Sequence, residues 1–216
     1  MSTDTDTDTS TDSGPATGRV IASITTSVDG YVTGPDDRPG QGLGVGGERL
    51  HHWVMGGPWT YDSGHDVGGT RGEDRAWLDE LTTGLGAGVV GRGMYEAAGA
   101  WGGTNPFPGP LVVLTHHPED QPEPERGFVF VAGLDAALAR ARELAAGGGI
   151  SLGGGADLIR QALAAGVVDE LAVSTAPVVL GAGKRLFEGF EHDLDLEILG
   201  VRHSSYAVHV RYAVRR

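Results

Sequence analysis

The feature that most restricts how this chain can fold is an apolar strand that runs through glycines directly into an amphipathic helix. The stretch ISLGGGADLIRQAL, residues 150–163, places three consecutive glycines between the strand and the helix. A second stretch, VVGRGMYE at residues 89–96, repeats this order with a shorter helix. Strands followed at once by helices are typical of α/β folds, in which helices cover both faces of a parallel sheet.

Apolar strands and helices alternate along most of the remaining chain. The continuous β-branched run at residues 20–27 predicts a strand buried on both faces. Further strands are predicted at residues 87–91, 110–115, 128–132, 150–152 and 171–180, and helices at 48–55, 73–81, 134–144 and 158–163. Residues 194–201 and 207–214 alternate apolar and polar side chains, which favours two antiparallel strands. The pattern predicts one α/β domain over residues 19–216, with a mostly parallel sheet and an antiparallel C-terminal end.

Residues 1–18 differ in composition from the rest of the chain. They form a Thr/Asp-rich stretch with neither the basic start nor the apolar centre of a secretion signal, so we expect a disordered tail. The whole chain has 29 acidic residues against 16 Lys and Arg, a formal charge of −13. This balance argues against nucleic-acid and anionic-membrane partners, which need a basic surface. The chain has no cysteine and no apolar run near the ~20 residues of a membrane span. We expect a soluble, cytoplasmic protein with a small-molecule ligand.

Three glycine clusters compete for a role in binding phosphate. Gly153, Gly154 and Gly155 stand between a strand and a helix, where free backbone N–H groups and the helix dipole attract an anion. The same residues also suit a plain tight turn. Gly91 stands in the same context and is followed by Arg92, which either binds phosphate or pairs with an acidic neighbour. The cluster at residues 42–47 fits G-x-G-x-x-G but follows a polar turn, so it is interpreted as a loop and a possible lid.

Five motifs in a fixed order then resemble a known family. They are SVDGYVTG at residues 27–34, VVGRGMYE at 89–96, LTHH at 114–117, LGGGADL at 152–158 and PVVLGAGKRLF at 177–187. Together they resemble dihydrofolate reductase-like proteins, and within these the reductase domain of bacterial riboflavin biosynthesis. That domain reduces 5-amino-6-(5-phosphoribosylamino)uracil. The resemblance implies a three-layer α/β/α sandwich, NADPH as cofactor and a homodimer.

The resemblance also implies roles for individual residues. Thr25 and Val32 would lie beside the nicotinamide, with Leu158 facing it. Thr115 and His116 would lie near the adenosine 2′-phosphate. The substrate would approach over Gly181 and Gly183. The groups implied to hold the remaining phosphates are Gly91, Arg92, Gly153, Gly154, Gly155, Ala156 and Asp157.

Two departures from the family pattern concern the substrate. True dihydrofolate reductases usually carry threonine where this chain has Met94, and they place a carboxylate next to the pterin, on the helix after the first loop. That helix is interpreted as GERLHHWVM, in which Glu48 or His51 would serve. The deaminase domain usually fused to the riboflavin-pathway enzyme is absent from this sequence.

Hydride transfer requires few catalytic side chains, because the cofactor supplies the reactive atom. A proton donor is still needed, and the candidates are Asp29, Glu48 and His51; Asp29 also suits an Asp-Gly turn after the first strand. Trp53 is expected to contact a flat substrate ring. The pair Glu73 and Asp74 is interpreted as solvated helix surface. The histidine spacing predicts no metal site.

The sequence therefore predicts an NADPH-dependent reductase of a small heterocycle. Two alternatives stay open at this stage. One is a non-catalytic nucleotide- or ligand-binding protein that retains the pocket, and the other is an oxidoreductase that uses flavin.

Overall fold

A computed structural model describes residues 18–63 and 69–215 of the chain. The disordered tail predicted for residues 1–18 lies outside the described residues, apart from Gly18. In the described part of the chain, no helix has the length and apolar character needed to cross a membrane.

Strands and helices alternate as the sequence predicts. The strands are β1 (Val20–Ser27), β2 (Tyr31–Thr33), β3 (Leu85–Gly91), β4 (Leu111–Leu114), β5 (Phe128–Val131), β6 (Gly149–Leu152), β7 (Glu170–Ala176), β8 (Lys184–Arg185), β9 (Asp195–His203) and β10 (Val208–Arg215). The α-helices are α1 (His52–Met55), α2 (Gly72–Thr82), α3 (Arg92–Ala97), α4 (Leu134–Leu144) and α5 (Ala156–Ala164). Short 3-10 helices include Gly47–His51 and Pro118–Asp120.

Eight strands form one sheet in the order β5-β4-β3-β6-β1-β7-β10-β9. The first six of these are mutually parallel, whereas β10 runs antiparallel to both β7 and β9. Strands β2 and β8 form a separate antiparallel pair. The mostly parallel sheet with an antiparallel C-terminal end confirms the predicted fold class, a dihydrofolate reductase-like α/β/α sandwich.

The sheet buries both faces, as the side chains of β1 show. Val20 and Ala22 belong to the main core under α4 and α5, whereas Ile21 between them packs with Trp53 and Trp77 on the opposite face. This alternation follows from the two-residue period of a strand. The helices α1 and α2 therefore cover one face of the sheet, and α4 and α5 cover the other.

Two elements differ from the prediction in their extent. The strand predicted over residues 171–180 ends at Ala176, because Pro177 follows and lacks the N–H group that would continue the ladder. The predicted helix over residues 48–55 begins as the 3-10 helix Gly47–His51 and becomes α-helical only at His52.

The order of the strands creates a crevice at their carboxyl ends. The chain leaving β3 continues to β4 on one side, whereas the chain leaving β6 passes through α5 to β7 on the other side of β1. Neighbouring parallel strands whose connections leave in opposite directions mark the switch point where α/β proteins bind ligands. In this chain the switch point lies between β3 and β6.

Candidate functional site

The carboxyl edge of the sheet brings the predicted motifs together in one row. Across the strands β4, β3, β6, β1 and β7, the row contains the segments that begin with Thr115, Gly91, Gly153, Val28 and Pro177. These segments lie far apart in the sequence and become neighbours only because the strands are parallel and adjacent. The structure thus gathers the predicted cofactor and substrate segments around the switch point.

The glycine turn after β6 contacts the end of β3 through backbone atoms. The Gly91 N–H donates to the Gly154 carbonyl at 2.9 Å, and the Gly153 N–H donates to the Val89 carbonyl at 3.0 Å. The peptide bond between Gly154 and Gly155 is cis. Gly154 has a φ of +105°, which side chains of L-residues rarely permit.

Open space lies above the glycine turn at the start of α5. A Cβ added to Gly155 would meet no atom within 4 Å. Ala156 and Asp157 occupy the first turn of α5, where backbone N–H groups have no partner inside the helix. An anion at this position would find free N–H donors and the positive end of the helix dipole.

Arg92 combines both interpretations that the sequence left open. Its guanidinium pairs with Glu96 at 2.7 Å and with Asp120 at 3.1 Å, and these contacts raise its pKa, with Glu96 contributing most. Its Nη1 nitrogen is enclosed and has no hydrogen-bond partner among the described residues. One donor on this arginine thus remains unpaired beside the predicted phosphate segment.

Thr115 and His116 lie next to Arg92 in the row. Thr115 is buried, and its Oγ1 accepts a hydrogen bond from the His117 N–H at 3.0 Å. His116 is exposed. The hydroxyl of Thr115 therefore shapes the turn after β4, and the exposed imidazole of His116 is the more accessible of the two predicted ligands.

An indole ring packs against the segment of β1 that is predicted to lie beside the nicotinamide. Thr25 and Val32 are both 8% exposed, and the Thr25 Oγ1 accepts a hydrogen bond from Trp53 Nε1 at 3.0 Å. Trp53 is itself buried among core residues, with 6% exposure. The indole therefore supports the wall of the site, and the structure does not present its face to a substrate.

The side chains at the start of α5 divide between the core and solvent. Leu158 is 2% exposed and belongs to the main core, beneath Gly91. Asp157 points outward, where its carboxylate accepts a hydrogen bond from Gln161. We therefore assign packing to the Leu158 side chain and leave the ligand contacts of this turn to backbone groups.

Asp29, a predicted proton donor, is a carboxylate that three hydrogen bonds hold in place. It accepts hydrogen bonds from Ser27 Oγ at 2.6 Å, from the Leu180 N–H at 3.1 Å and from the Gly181 N–H at 2.8 Å. These bonds, that from Ser27 above all, lower the pKa of Asp29 to about 2. Asp29 therefore carries no proton at neutral pH and fastens the loop after β7 to the turn after β1.

Glu48 and His51 share the 3-10 helix that crosses the ends of β1, β2 and β7. Burial lowers the pKa of His51 to about 4, so its imidazole is neutral at physiological pH. Glu48 lines a cleft of about 380 Å³ together with Arg38 and Tyr61.

A larger cavity, about 540 Å³, lies at the opposite edge of the sheet, where β4 and β5 begin, and we assign it no function.

The glycines predicted to admit the substrate serve the chain itself. A Cβ on Gly183 would come 2.0 Å from the Thr33 carbonyl oxygen, so this glycine is required for the contact with β2. Gly181 has a φ of +76° and donates its N–H to Asp29. The structure thus gives a reason within the chain for the absence of side chains at both positions.

The sequence interpretation missed a buried polar network beside the site. Asp74, placed on a solvated surface from the sequence, is 4% exposed, and its Oδ1 lies 2.9 Å from His209 Nε2. His209 Nδ1 lies 2.8 Å from Ser174 Oγ, which also accepts a hydrogen bond from Trp77 Nε1 at 3.1 Å. The sequence did contain one indication that Asp74 is buried, because Asp74 precedes Trp77 by three residues and therefore lies on the same face of the helix.

This network also contacts Trp53, which packs beside the predicted nicotinamide segment. The His209 ring stacks on the ring of Trp77. It also contacts the ring of Trp53 edge-on, and the centroids of these two rings are 4.9 Å apart. Asp74 is thus a buried carboxylate on α2, the helix directly before β3. Ser174, His209 and Asp74 have the composition of a hydrolytic triad, but their burial denies a substrate access to the serine.

Among residues 18–63 and 69–215, no three His, Asp or Glu side chains form a group that could hold a metal ion.

Solved structures with the same fold include reductases. The chain is similar to a protein of Shewanella sp. PV-4 designated a riboflavin biosynthesis protein, with a TM-score of 0.65, 20% identity and coverage of 92% of this chain and 99% of that one. A pyrimidine reductase-like protein of Corynebacterium diphtheriae matches with a TM-score of 0.59, 19% identity and 92% coverage of both chains. Dihydrofolate reductase of Enterococcus faecalis, in complex with NADP(H), matches with a TM-score of 0.55, 18% identity and coverage of 93% and 98%.

No curated protein matches the chain by sequence. The family model of the RibD C-terminal domain matches residues 19–210, which is nearly the whole region predicted to fold. The five ordered motifs, the strand order and this match all indicate the same family. The chain therefore belongs to the RibD C-terminal domain family.

Proposed function

We propose that this protein is an NADPH-dependent reductase of a small, flat heterocycle. The observation that carries the proposal is the backbone cradle at the switch point, where Gly91 bonds Gly154 and open space lies over Gly155. Family membership supports reductase activity, and the resemblance to riboflavin-pathway enzymes supports a pyrimidine-like ring.

The residues present fit a dinucleotide with several phosphates. Backbone N–H groups of Gly155, Ala156 and Asp157 would hold the pyrophosphate, since a side chain there would occupy the open space. Arg92, at the end of β3, would make a second anionic contact, for which Thr115 and His116 lie next along the edge. Thr25 and Val32 would line the nicotinamide end.

When bound, NADPH supplies the hydride, and the chain supplies binding, orientation and a proton. Asp29 is poorly suited to deliver that proton, because its carboxylate already accepts hydrogen bonds from Ser27, Leu180 and Gly181. The candidates that remain are Glu48 and His51, on the 3-10 helix over β1 and β7. Neutral His51 would give up its ring N–H proton only as its other ring nitrogen takes one from water, and Glu48 would deliver a proton relayed from solvent.

A pterin is a poor candidate substrate for this site. The buried carboxylate of Asp74 is already bonded to His209, and the rings of Trp53 and Trp77 enclose that imidazole. A pterin ring would have to displace His209 to reach the carboxylate. This arrangement favours a heterocycle bound outside the network, towards the cleft that Glu48 lines.

We also propose that two copies assemble through β9 and β10. Paired positions on one face of these strands carry Leu196 with Val214, Ile198 with Tyr212 and Val201 with Val210. Ile198 and Val201 are 63% and 57% exposed, which is unusual for neighbouring apolar residues.

A titration tests the proposed function. We expect NADPH to change the tryptophan fluorescence of the folded protein with saturation below 1 mM, since Trp53 adjoins the nicotinamide segment. NADPH oxidation at 340 nm would then be followed with pyrimidines, pteridines and quinones. Binding without oxidation of any of these would favour the non-catalytic alternative. A yellow colour on purification would favour flavin, and absence of binding would reject the proposal.

A further inference from the structure

Two carboxylates from different segments hold the guanidinium of Arg92. Its Nε donates to Glu96 Oε1 at 2.7 Å, and its Nη2 donates to Asp120 Oδ2 at 3.1 Å. Glu96 lies one turn further along α3, whereas Asp120 belongs to the 3-10 helix after β4. The second contact therefore exists only because β3 and β4 are neighbours.

Aromatic rings restrict where this guanidinium can move. Its Cζ lies 5.1 Å from the ring centroid of Phe130 and 5.8 Å from that of Tyr95. The side chain of Arg92 is 28% exposed, whereas those of Glu96 and Asp120 are 53% and 50% exposed. A ligand that approaches Arg92 from solvent therefore meets carboxylates that are more accessible than the cation between them.

The charge around Arg92 is negative in total. Glu119 adds a third carboxylate, which lies 3.0 Å from His117 Nδ1. The guanidinium and the carboxylates of this group contribute one positive and three negative charges. A ribose 2′-phosphate, which carries up to two negative charges, must compete with these carboxylates for Arg92. A ribose 2′-hydroxyl can instead donate a hydrogen bond to a carboxylate, as acidic residues accept from NAD in other dinucleotide sites.

We propose that Asp120 determines the cofactor preference of this protein: by neutralising Arg92, it brings the affinity for NADPH down to within about tenfold of that for NADH. This inference rests on the proposed function, because it assumes that Arg92 meets the adenosine end of a dinucleotide. It goes beyond that function by assigning the choice between the two dinucleotides to a residue outside the glycine motifs.

The test compares dissociation constants for NADPH and NADH, measured by fluorescence, in the wild type and three variants. Asp120→Asn keeps the size of the side chain and removes its charge, so we expect NADPH to bind about tenfold more tightly and NADH to change less than twofold. Glu125→Gln is the matched control, because it removes one exposed charge five residues away and should alter both constants less than twofold. In Arg92→Met with Asp120→Asn, the gain for NADPH should disappear.

The outcomes separate the two proposals. Equal changes for both dinucleotides in Asp120→Asn, no change, or a wild type that prefers NADPH more than a hundredfold would overturn the role of Asp120 and leave the proposed function intact. Failure of every folded variant and of the wild type to bind either dinucleotide would reject the proposed function, and this inference with it. Thermal melting of each variant confirms that it is folded.

Discussion

The Gly91 N–H donates a hydrogen bond to the Gly154 carbonyl at 2.9 Å, and this contact joins the end of one sheet strand to the glycine turn after its neighbour. Both residues lack a side chain, so the backbone itself forms the floor of the candidate cofactor site. The rigidity of the two strands then fixes where the first N–H groups of α5 point. The contact is the structural basis of the proposed phosphate cradle.

Adding a methyl group at Gly155 tests whether the glycine turn binds the cofactor, because the change should affect binding much more than folding. Gly155→Ala adds a Cβ that meets no protein atom within 4 Å, so we expect the melting temperature to fall by only a few degrees. NADPH affinity should fall at least tenfold, because the methyl group takes the space of the pyrophosphate. Gly93→Ala, whose Cβ also meets nothing within 4 Å, is the control and should retain affinity. Unchanged NADPH binding in Gly155→Ala would place the phosphates elsewhere.

The buried network should matter for stability. Asp74→Asn removes the charge that His209 Nε2 bonds at 2.9 Å, and we expect the free energy of unfolding to fall by about 2 kcal/mol. Asp79→Asn, on the same helix, breaks an exposed pair with Arg75 and should cost less than about 1 kcal/mol. Urea denaturation followed by fluorescence gives both values. Equal losses of unfolding free energy in the two variants would contradict a larger contribution from the buried hydrogen bond of Asp74.

Stability should decrease in mild acid because two histidines are held neutral. Burial lowers the pKa of His51 from 6.5 to about 4, and burial also lowers that of His209. The unfolded chain binds protons at these residues below pH 6.5, whereas the folded chain does not. Their contribution is therefore fully present above pH 6.5 and is lost as the pH falls towards 4, by up to about 3 kcal/mol for His51.

Melting temperatures between pH 4 and pH 7 measure this loss. His51→Gln should flatten the slope over that range, whereas the exposed control His116→Gln should leave it unchanged. The same slope in wild type and His51→Gln would contradict the neutral, partly buried state of His51.

The assembly proposal predicts a change in mass. The wild type should elute as two chains in size-exclusion chromatography with light scattering, and Ile198→Glu should elute as one, because it places a charge in the middle of the apolar face of β9. Val45→Glu is the control, since Val45 is also exposed, at 53%, but lies in the loop before α1. A monomeric wild type would reject the interface.

Much of the fold was accessible from local sequence patterns. The strand over residues 20–27 and the helix over residues 134–144 follow from runs of apolar residues with the right period, bounded by glycine or polar turns. Parallel pairing followed from continuous apolar strands that alternate with helices. Even the error at the end of β7 had a local cause, because Pro177 is visible in the sequence.

The site was accessible only as a set of motifs. Glycines between a strand and a helix indicated where phosphate would bind, because free N–H groups at a helix start are a local property. The burial of Asp74 was not accessible, because it depends on His209, 135 residues away. Gly183 likewise indicated an open approach, whereas Thr33 fills that space in the folded chain.

The sequence by itself determined the order of strands and helices, the glycine turns and the motifs of the family, because these depend on residues close together in the chain. Tertiary structure alone decided which charges meet. Asp120 reaches Arg92 across 28 residues because β3 and β4 are adjacent, and Asp29 reaches Gly181 across 152 residues because β1 and β7 are adjacent. Electrostatic partners depend on distance in space, and periodicity along a chain carries no information about that distance.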